Sequence, residues 1–407
     1  MKILVLGAGG KIGRAIVWDL ARNYKADTVG IVGRKLDILQ DVSKSVGGKN
    51  IVVHQMDVTD KASAMQVMRG YDVGVSALPD RRTSYKAIEA AIESGINFVD
   101  ILEEYHRRPD VEEDEDLERP ADMSHEEYGD WLHQRAIENG VTVLDGFGFA
   151  PGLSNITVGN AIRKLDKVER AIARVGGIPS KEASERHPLK YMITWAFSHV
   201  LREYMINVQI IENGKPTTVP AMSAHETFRF TELGKDEQLE CFITPGMPSF
   251  IYTRPNLEYF AEKTIRWSGH WQAIQTLKEC GLLSMELEEF FVPRPFLSKM
   301  LTPRLMPKEG DTDACVMYNT IEGVKDGQKK CISQYLWDEG EPNGFTSMAR
   351  VTGFPAAAGA VLLAQGKIKQ KGVVAPEDAI EGETYQFVIN ELKKRRIVLV
   401  EKELPGS

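Results

Sequence analysis

Four cysteines in 407 residues, Cys241, Cys280, Cys315 and Cys331, are too few and too scattered for a disulfide framework, and none stands in a Cys-x-x-Cys clip. No His-Glu-x-x-His run and no carboxylate cluster at ligand spacing occurs, so metal-assisted chemistry has no signature and no metal is expected. Basic charge is short as well. Lys and Arg number 50 against 58 Asp and Glu, and the net charge of -8 supplies no field to hold nucleic acid or anionic lipid. No run of about eighteen apolar residues reads as a membrane span, and the N-terminal apolar stretch meets glycine too soon for a signal peptide. Internal repeats and low-complexity linkers are missing too. Together these absences predict a cytoplasmic chain with reduced thiols, no membrane or nucleic-acid partner, and a small molecule as its ligand. With 43% hydrophobic residues, the length allows two domains or three.

What is there begins at once. Ile3 to Leu6 is an apolar run that leads directly into Gly7, Gly9, Gly10 and Gly13 and then into a helical pattern from Lys11 to Tyr24. The glycines fit Gly-x-Gly-x-x-x-Gly or Gly-x-x-Gly-x-x-Gly. A strand, a tight glycine turn and a helix N-terminus form a cradle for a dinucleotide pyrophosphate, with Gly7, Gly9, Gly10, Lys11 and Ile12 at the contact. Further β-rich runs at Thr28–Val32, Ile51–Gln55, Asp72–Ala77, Asn97–Asp100 and Val141–Leu144 alternate with helical stretches, which predicts a doubly wound parallel sheet of the Rossmann type. The second run ends in Gly33 and Arg34 where a ribose-binding acid is usual, which tilts the cofactor from NAD toward NADP. Asp57 and Val58 are expected at the adenine edge, and Ala77, Leu78 and Pro79 on the path to nicotinamide.

The domain plan is 1–145 for the nucleotide, with an acidic insertion at 103–130 read as a surface excursion without chemistry, then 146–343 for substrate and dimerisation, and 344–407 as C-terminal helices that return to the first domain. Ser124 to Glu127 resembles a capping box. Asn213-Gly214 and Asp326-Gly327 mark hairpins in a second, sheet-containing domain.

The segments Phe147 to Asn155, Val175 to Pro179, Pro188 to Tyr191 with Trp195, Ile211 to Gly214, Arg254 to Asn256, Lys263 to Arg266 with Gly269-His270, and Lys371-Gly372 with Pro376-Glu377 resemble the saccharopine dehydrogenase family, in pattern its lysine 6-dehydrogenase branch. The resemblance implies a Rossmann domain, a second α/β substrate domain, a homodimer, and NAD(P)-linked oxidation or formation of a C–N bond in an amino acid. In saccharopine-forming members an arginine that holds a substrate carboxylate follows the tryptophan-like position, and in lysine 6-dehydrogenases an acid. This chain has Ser198 there, between Phe197 and His199. An amine oxidation needs a base and an orienting pocket. Tyr191, His225, Glu226 and His270 are the candidate catalytic groups, and Asn155, Ser198, His199 and Arg254 the candidate substrate contacts. His225 or His270 can titrate near working pH, and Glu226 aligns with an acid of the lysine 6-dehydrogenase branch. Each has a plainer reading, His270 between Trp267 and Trp271 as a packing residue above all. Besides amine oxidation or the reverse imine reduction, two alternatives stand: a reductive condensation of the saccharopine or carboxynorspermidine type, and a dinucleotide-binding regulatory or scaffold protein without catalysis.

Overall fold

The computed structural model describes residues 1–111, 117–288, 290–341 and 344–406. The middle of the acidic run, 112–116, and the domain boundary expected at 343 lie outside the described residues. The chain divides into two units, Met1–Asn160 with Met247–Thr253 and Ala349–Arg396, and Ala161–Gly246 with Arg254–Met348 and Ile397–Ser407. Residues 146–160, expected to open the substrate domain, thus group with the nucleotide unit.

In the first unit seven strands lie in the order Gly372–Val374, Thr142–Leu144, Asn97–Asp100, Val73–Ser76, Lys2–Leu6, Thr28–Gly33, Ile51–Gln55. All their pairings are parallel. Ile3, Leu4, Val5 and Leu6 are fully buried. Their unbroken apolar run is the pattern of a strand covered on both faces. Strand order reverses between Lys2–Leu6 and Val73–Ser76, and Gly7 and Ala77 follow their carboxyl ends, where an open parallel sheet leaves its crevice. The helix Lys11–Arg22 turns Ala15, Ile16, Val17 and Leu20 to the core. Its buried Asp19 is paired with Arg395, Oδ1 to Nε 2.5 Å. The capping box forms: Glu127 N–H donates to Ser124 Oγ, and Ser124 N–H to Glu127 Oε2.

The second unit is built on a mixed sheet, Glu226–Phe230, Glu237–Ile243, Tyr259–Trp267, Lys167–Pro179, Asp313–Lys325, Gln328–Glu339, Leu399–Pro405, with Asn207–Glu212 and Lys215–Pro220 branching from Tyr259–Trp267. Among the described residues of this sheet only Tyr259–Trp267 with Lys167–Pro179 is parallel. Both hairpins form. Asn213 and Gly214 have φ of 52° and 73°, Asp326 and Gly327 of 51° and 72°, the two consecutive left-handed residues that a two-residue turn between twisted strands requires.

One expectation is corrected. The chain end does not return wholly as helices: Leu399–Pro405 is a strand on the edge of the second sheet, beside Gln328–Glu339. Its charges suit an edge, and Glu401 takes a hydrogen bond from Gln334, 3.0 Å. The helix Ser347–Ala364, interrupted in sequence by Arg350 and Pro355, has 18 residues and a mean hydropathy of 1.3, enough by length and composition to cross a membrane. It is 89% buried, as a core helix is.

Candidate functional site

The cofactor cradle is built by close backbone approach. Gly7 has φ 75°, and a Cβ there would lie 2.4 Å from the Ala77 carbonyl oxygen, while one on Gly13 would lie 2.3 Å from that of Gly7. Neither position admits another residue without moving the turn. Gly10 is the N-cap of Lys11–Arg22, with extended backbone, no capping side chain and no acid in the first turn. The positive end of the helix is therefore left uncompensated and open. Gly10 and Lys11 are exposed, and Gly9 and Ile12 partly so. These residues fit a pyrophosphate.

At the end of the second strand Gly33 is half-buried and Arg34 exposed, its carbonyl held by Gln55 Nε2 at 3.1 Å. Arg34 makes no ion pair among the described residues. Asp57, kept low by hydrogen bonds from Thr59, with Arg34 and Arg82 adding to the effect, follows the third strand, and Val58 beside it is buried. Ala77, Leu78 and Pro79 follow the fourth, with Ala77 N–H on the Leu6 carbonyl at 3.0 Å. A guanidinium that is in no ion pair among the described residues suits a 2'-phosphate. Arg34→Ala is expected to weaken NADPH binding about 10- to 100-fold and NADH binding by less than about threefold, as read by fluorescence titration. Equal losses for both would show that Arg34 does not read the phosphate.

The four expected catalytic groups lie in the second unit and do not converge. His270 is buried, with Nδ1 on the Leu189 carbonyl at 2.7 Å and Nε2 on Tyr204 Oη at 3.0 Å. Burial, and then Arg266, push its imidazole down to about 3. Both ring nitrogens are engaged, so the packing reading applies and the expected base is corrected: no nitrogen is free for a substrate proton. Tyr191 is 1% exposed in a core with Phe197, Tyr204 and Phe242, and burial pushes its phenol up. It too is a core group in place of the expected catalyst. Glu226 is locked to Arg174 Nε at 2.7 Å with Lys263 Nζ at 3.5 Å. Although its burial works the other way, these cations hold the carboxyl down at about 2, too acidic for a base near neutral pH, which corrects that assignment. His225 differs. Its side chain is 29% exposed, stacks on Trp271 at 4.5 Å, and places Nε2 3.3 Å from Glu240 Oε2.

Of the expected substrate contacts, Ser198 is exposed, Arg254 is half-buried, and His199 Nε2 lies 3.3 Å from Glu203 one turn on. Asn155 is in the first unit and fully buried. Its Nδ2 donates to Ser249 Oγ at 3.0 Å and Glu377 Oε2 at 2.9 Å, while its Oδ1 accepts from Gly152 N–H at 2.9 Å. The side chain is saturated within the fold and closes the turn, which corrects its assignment as a ligand contact.

Sequence reasoning missed a buried network at the carboxyl ends of the parallel strands. Asp100 ends one strand, Asp145 follows the next, and His106, fully buried, bridges from the segment between. His106 Nδ1 is 2.6 Å from Asp145 Oδ1 and its backbone N–H 2.8 Å from Oδ2. On the other side Nε2 meets Ser84 Oγ at 2.9 Å, and Ser84 donates to Asp100 Oδ2 at 2.8 Å. Glu104 accepts from Arg81 and Tyr85, each 2.8 Å. Burial by itself lowers the His106 imidazole, yet Asp145, Asp100 and Glu104 outweigh it and hold it up at about 9. The start of the acidic insertion is therefore a buried anchor, not the surface excursion expected. Asp100, His106 and Asp145 bring metal-type ligand atoms within 4.8 Å of one another, and each atom is already engaged in the hydrogen bonds above. The only local signal was a carboxylate at each of two strand ends; Ser84 and His106 are tied to them by no spacing.

Residues 3–144 match the saccharopine dehydrogenase NADP binding domain and residues 148–398 the saccharopine dehydrogenase C-terminal domain. The chain is 22% identical to the NADP(+), L-glutamate-forming saccharopine dehydrogenase of Schizosaccharomyces pombe, over 92% of this chain and 94% of that one. It is 20% identical to the carboxyaminopropylagmatine dehydrogenase of a Synechocystis species, over 93% and 92%. The apo L-Glu-forming saccharopine dehydrogenase of Saccharomyces cerevisiae shares the fold, with a TM-score of 0.80, 20% identity and 99% of each chain covered. The two domain matches take in nearly the whole length, and the chain belongs to the saccharopine dehydrogenase family as an NADP-dependent oxidoreductase.

Proposed function

We propose that the chain uses NADP to oxidise the C–N bond of a lysine-like amino acid, or in reverse to form it by imine reduction. The observation that carries the reading is the pair of domain matches, NADP binding followed by the saccharopine dehydrogenase C-terminal domain. The cofactor supplies the hydride acceptor or donor. The glycine turn and helix N-terminus hold its phosphates, and Arg34 its 2'-phosphate. His225, the one of the four expected groups that is neither buried in a core nor locked to a cation, takes the ammonium proton, oriented by Glu240 and Trp271. The substrate loses a hydride and a proton, and water converts the resulting imine to a carbonyl compound and ammonium. Ser198 supports a substrate without a second carboxylate at that position, because a hydroxyl cannot neutralise one as a guanidinium does. A cytoplasmic setting belongs to the proposal and is supported by four free thiols.

A second reading, reductive condensation of an amine with a carbonyl compound, is favoured by the relatives named for saccharopine and carboxyaminopropylagmatine. Absorbance of the reduced nicotinamide separates the two. Lysine-like amines with NADP should yield NADPH with one ammonium released per turnover. NADPH consumed by an amine plus a keto acid, with no ammonium balance, establishes condensation instead. Tight NADPH binding without turnover on either panel overturns both and leaves a regulatory or scaffold protein.

A further inference from the structure

One buried cation of the second unit has no counterion. Arg266, on the strand Tyr259–Trp267, is 3% exposed. Its Nε donates to Tyr204 Oη at 3.0 Å and its Nη1 to the Ile265 carbonyl at 2.9 Å, while Nη2 has no partner and the group no ion pair among the described residues. The acids around it are engaged elsewhere. Glu240, its partner across the strand pair, accepts from Gly269 N–H at 3.0 Å and Trp271 N–H at 2.5 Å and faces His225. Glu203 faces His199 Nε2 at 3.3 Å. Glu262 accepts from Thr244 Oγ1 at 2.8 Å and Gly246 N–H at 3.1 Å, and burial pushes its carboxyl up to about 8, so near neutral pH it adds no negative charge. A charge taken out of water without a counterion is costly, and buried charges in native folds are paired.

Two further donors lie on the same face of the sheet. Thr264 pairs with Phe242, which belongs to the core of Tyr191 and Tyr204, and Arg266 shares the Thr264 face because side chains alternate along a strand. The Tyr191 ring lies 5.6 Å from the guanidinium carbon. Its hydroxyl, in a residue 1% exposed, has no hydrogen-bond partner, and neither has Thr194 Oγ1, in a residue 7% exposed. Thr194 Oγ1 sits 3.5 Å from where a Cβ on Gly177 would be. Gly177 and Arg266 each follow the paired Val175 and Thr264 by two residues, which makes them neighbours on this face. A guanidinium can only donate, and each hydroxyl has a hydrogen to give. What the three groups lack is an acceptor with negative charge, and the two oxygens of a carboxylate supply it. We propose that Arg266, with the Tyr191 and Thr194 hydroxyls, holds the carboxylate of the amino-acid substrate. The role rests on the amino-acid oxidoreductase reading, and it provides the cation that Ser198 does not.

Calorimetric titration of the full chain in excess NADP tests it, with L-lysine and with diaminopentane, which is lysine without its carboxylate. The unaltered chain should bind L-lysine at least about 10-fold more tightly than diaminopentane. Tyr191→Phe and Thr194→Val remove only hydroxyls that have no partner in the fold, so the melting temperature should hold. Affinity for L-lysine should nevertheless fall about 10-fold in each, while that for diaminopentane stays within about twofold. Arg266→Met should abolish the preference for the carboxylate, and Arg266→Lys, which keeps the charge but not the fork, should restore part of it. Equal affinity for the two probes, no binding of L-lysine, or hydroxyl variants that bind L-lysine as the unaltered chain does overturns the assignment. L-lysine bound in this way but never turned over sinks the oxidoreductase reading alone. Diaminopentane turned over as readily as L-lysine sinks the role of Arg266 alone.

Discussion

Gly10→Asp is expected to abolish NADP binding while leaving the fold intact. Gly10 is an N-cap with φ −76° and ψ 167°, an extended conformation that aspartate adopts readily, and a Cβ there meets only the Gly7 carbonyl oxygen at 3.5 Å. An aspartate at an N-cap stabilises a helix by a few tenths of a kcal/mol over glycine, roughly 0.3, and faces the positive end of the helix dipole. The same carboxylate stands where two phosphates must come. At about 5 Å and an effective dielectric near 20, each phosphate charge is repelled by about 3 kcal/mol, so affinity should fall by well over about 100-fold. Calorimetric titration with NADPH and a thermal melt of the same preparation read the two effects separately. The opposite signs are the test: binding within about threefold of the unaltered chain, with the helix intact, removes the glycine turn from the cofactor site.

His106→Ala should be the most destabilising single change in the first unit. It removes the imidazolium that faces Asp145, Asp100 and Glu104 inside the fold, and breaking a buried ion pair from one side costs about 3–5 kcal/mol, a large share of the roughly 5–15 kcal/mol that holds a domain together. The unaltered protein carries a pH signature of the same group. Its imidazole is raised from 6.5 to about 9 in the fold, so the stability it contributes is whole below about pH 6.5 and is lost as pH rises through 9. The shift corresponds to about 3 kcal/mol between those limits. Urea unfolding at pH 6.5 and pH 9.5 should show this loss in the unaltered chain and its absence in His106→Gln. An equal loss in the variant would mean that His106 is not the charged centre of the network.

Legibility in sequence followed the range of the physics involved. The parallel strands of the first unit were readable because a strand buried on both faces must be apolar throughout, as Ile3 to Leu6 is, and because Gly7 and Gly13 answer to a backbone approach only a few residues away. The hairpins were readable for a similar reason, since Asn213-Gly214 states its own left-handed turn. The last strand was not. Leu399–Pro405 exists because Gln328–Glu339 offers it a free edge, and nothing within those seven residues announces that partner. Side-chain roles were less legible still. His270 and His225 look alike in sequence, beside tryptophan in one case and between alanine and glutamate in the other, yet one has both nitrogens taken in the core and the other keeps access to solvent.

The amino-acid order alone determined the nucleotide-binding half, its glycine cradle, the absence of an acid beside Arg34, and the family, because each depends on residues that are neighbours along the chain. Only the tertiary structure decided which polar groups are free to act. It joined Ser84, Asp100, His106 and Asp145 into one proton-holding network, and it saturated Asn155 and paired Glu226. The physical reason is that the charge and availability of a buried group are set by which dipoles and carboxylates surround it, and those are brought together by packing from positions far apart in sequence.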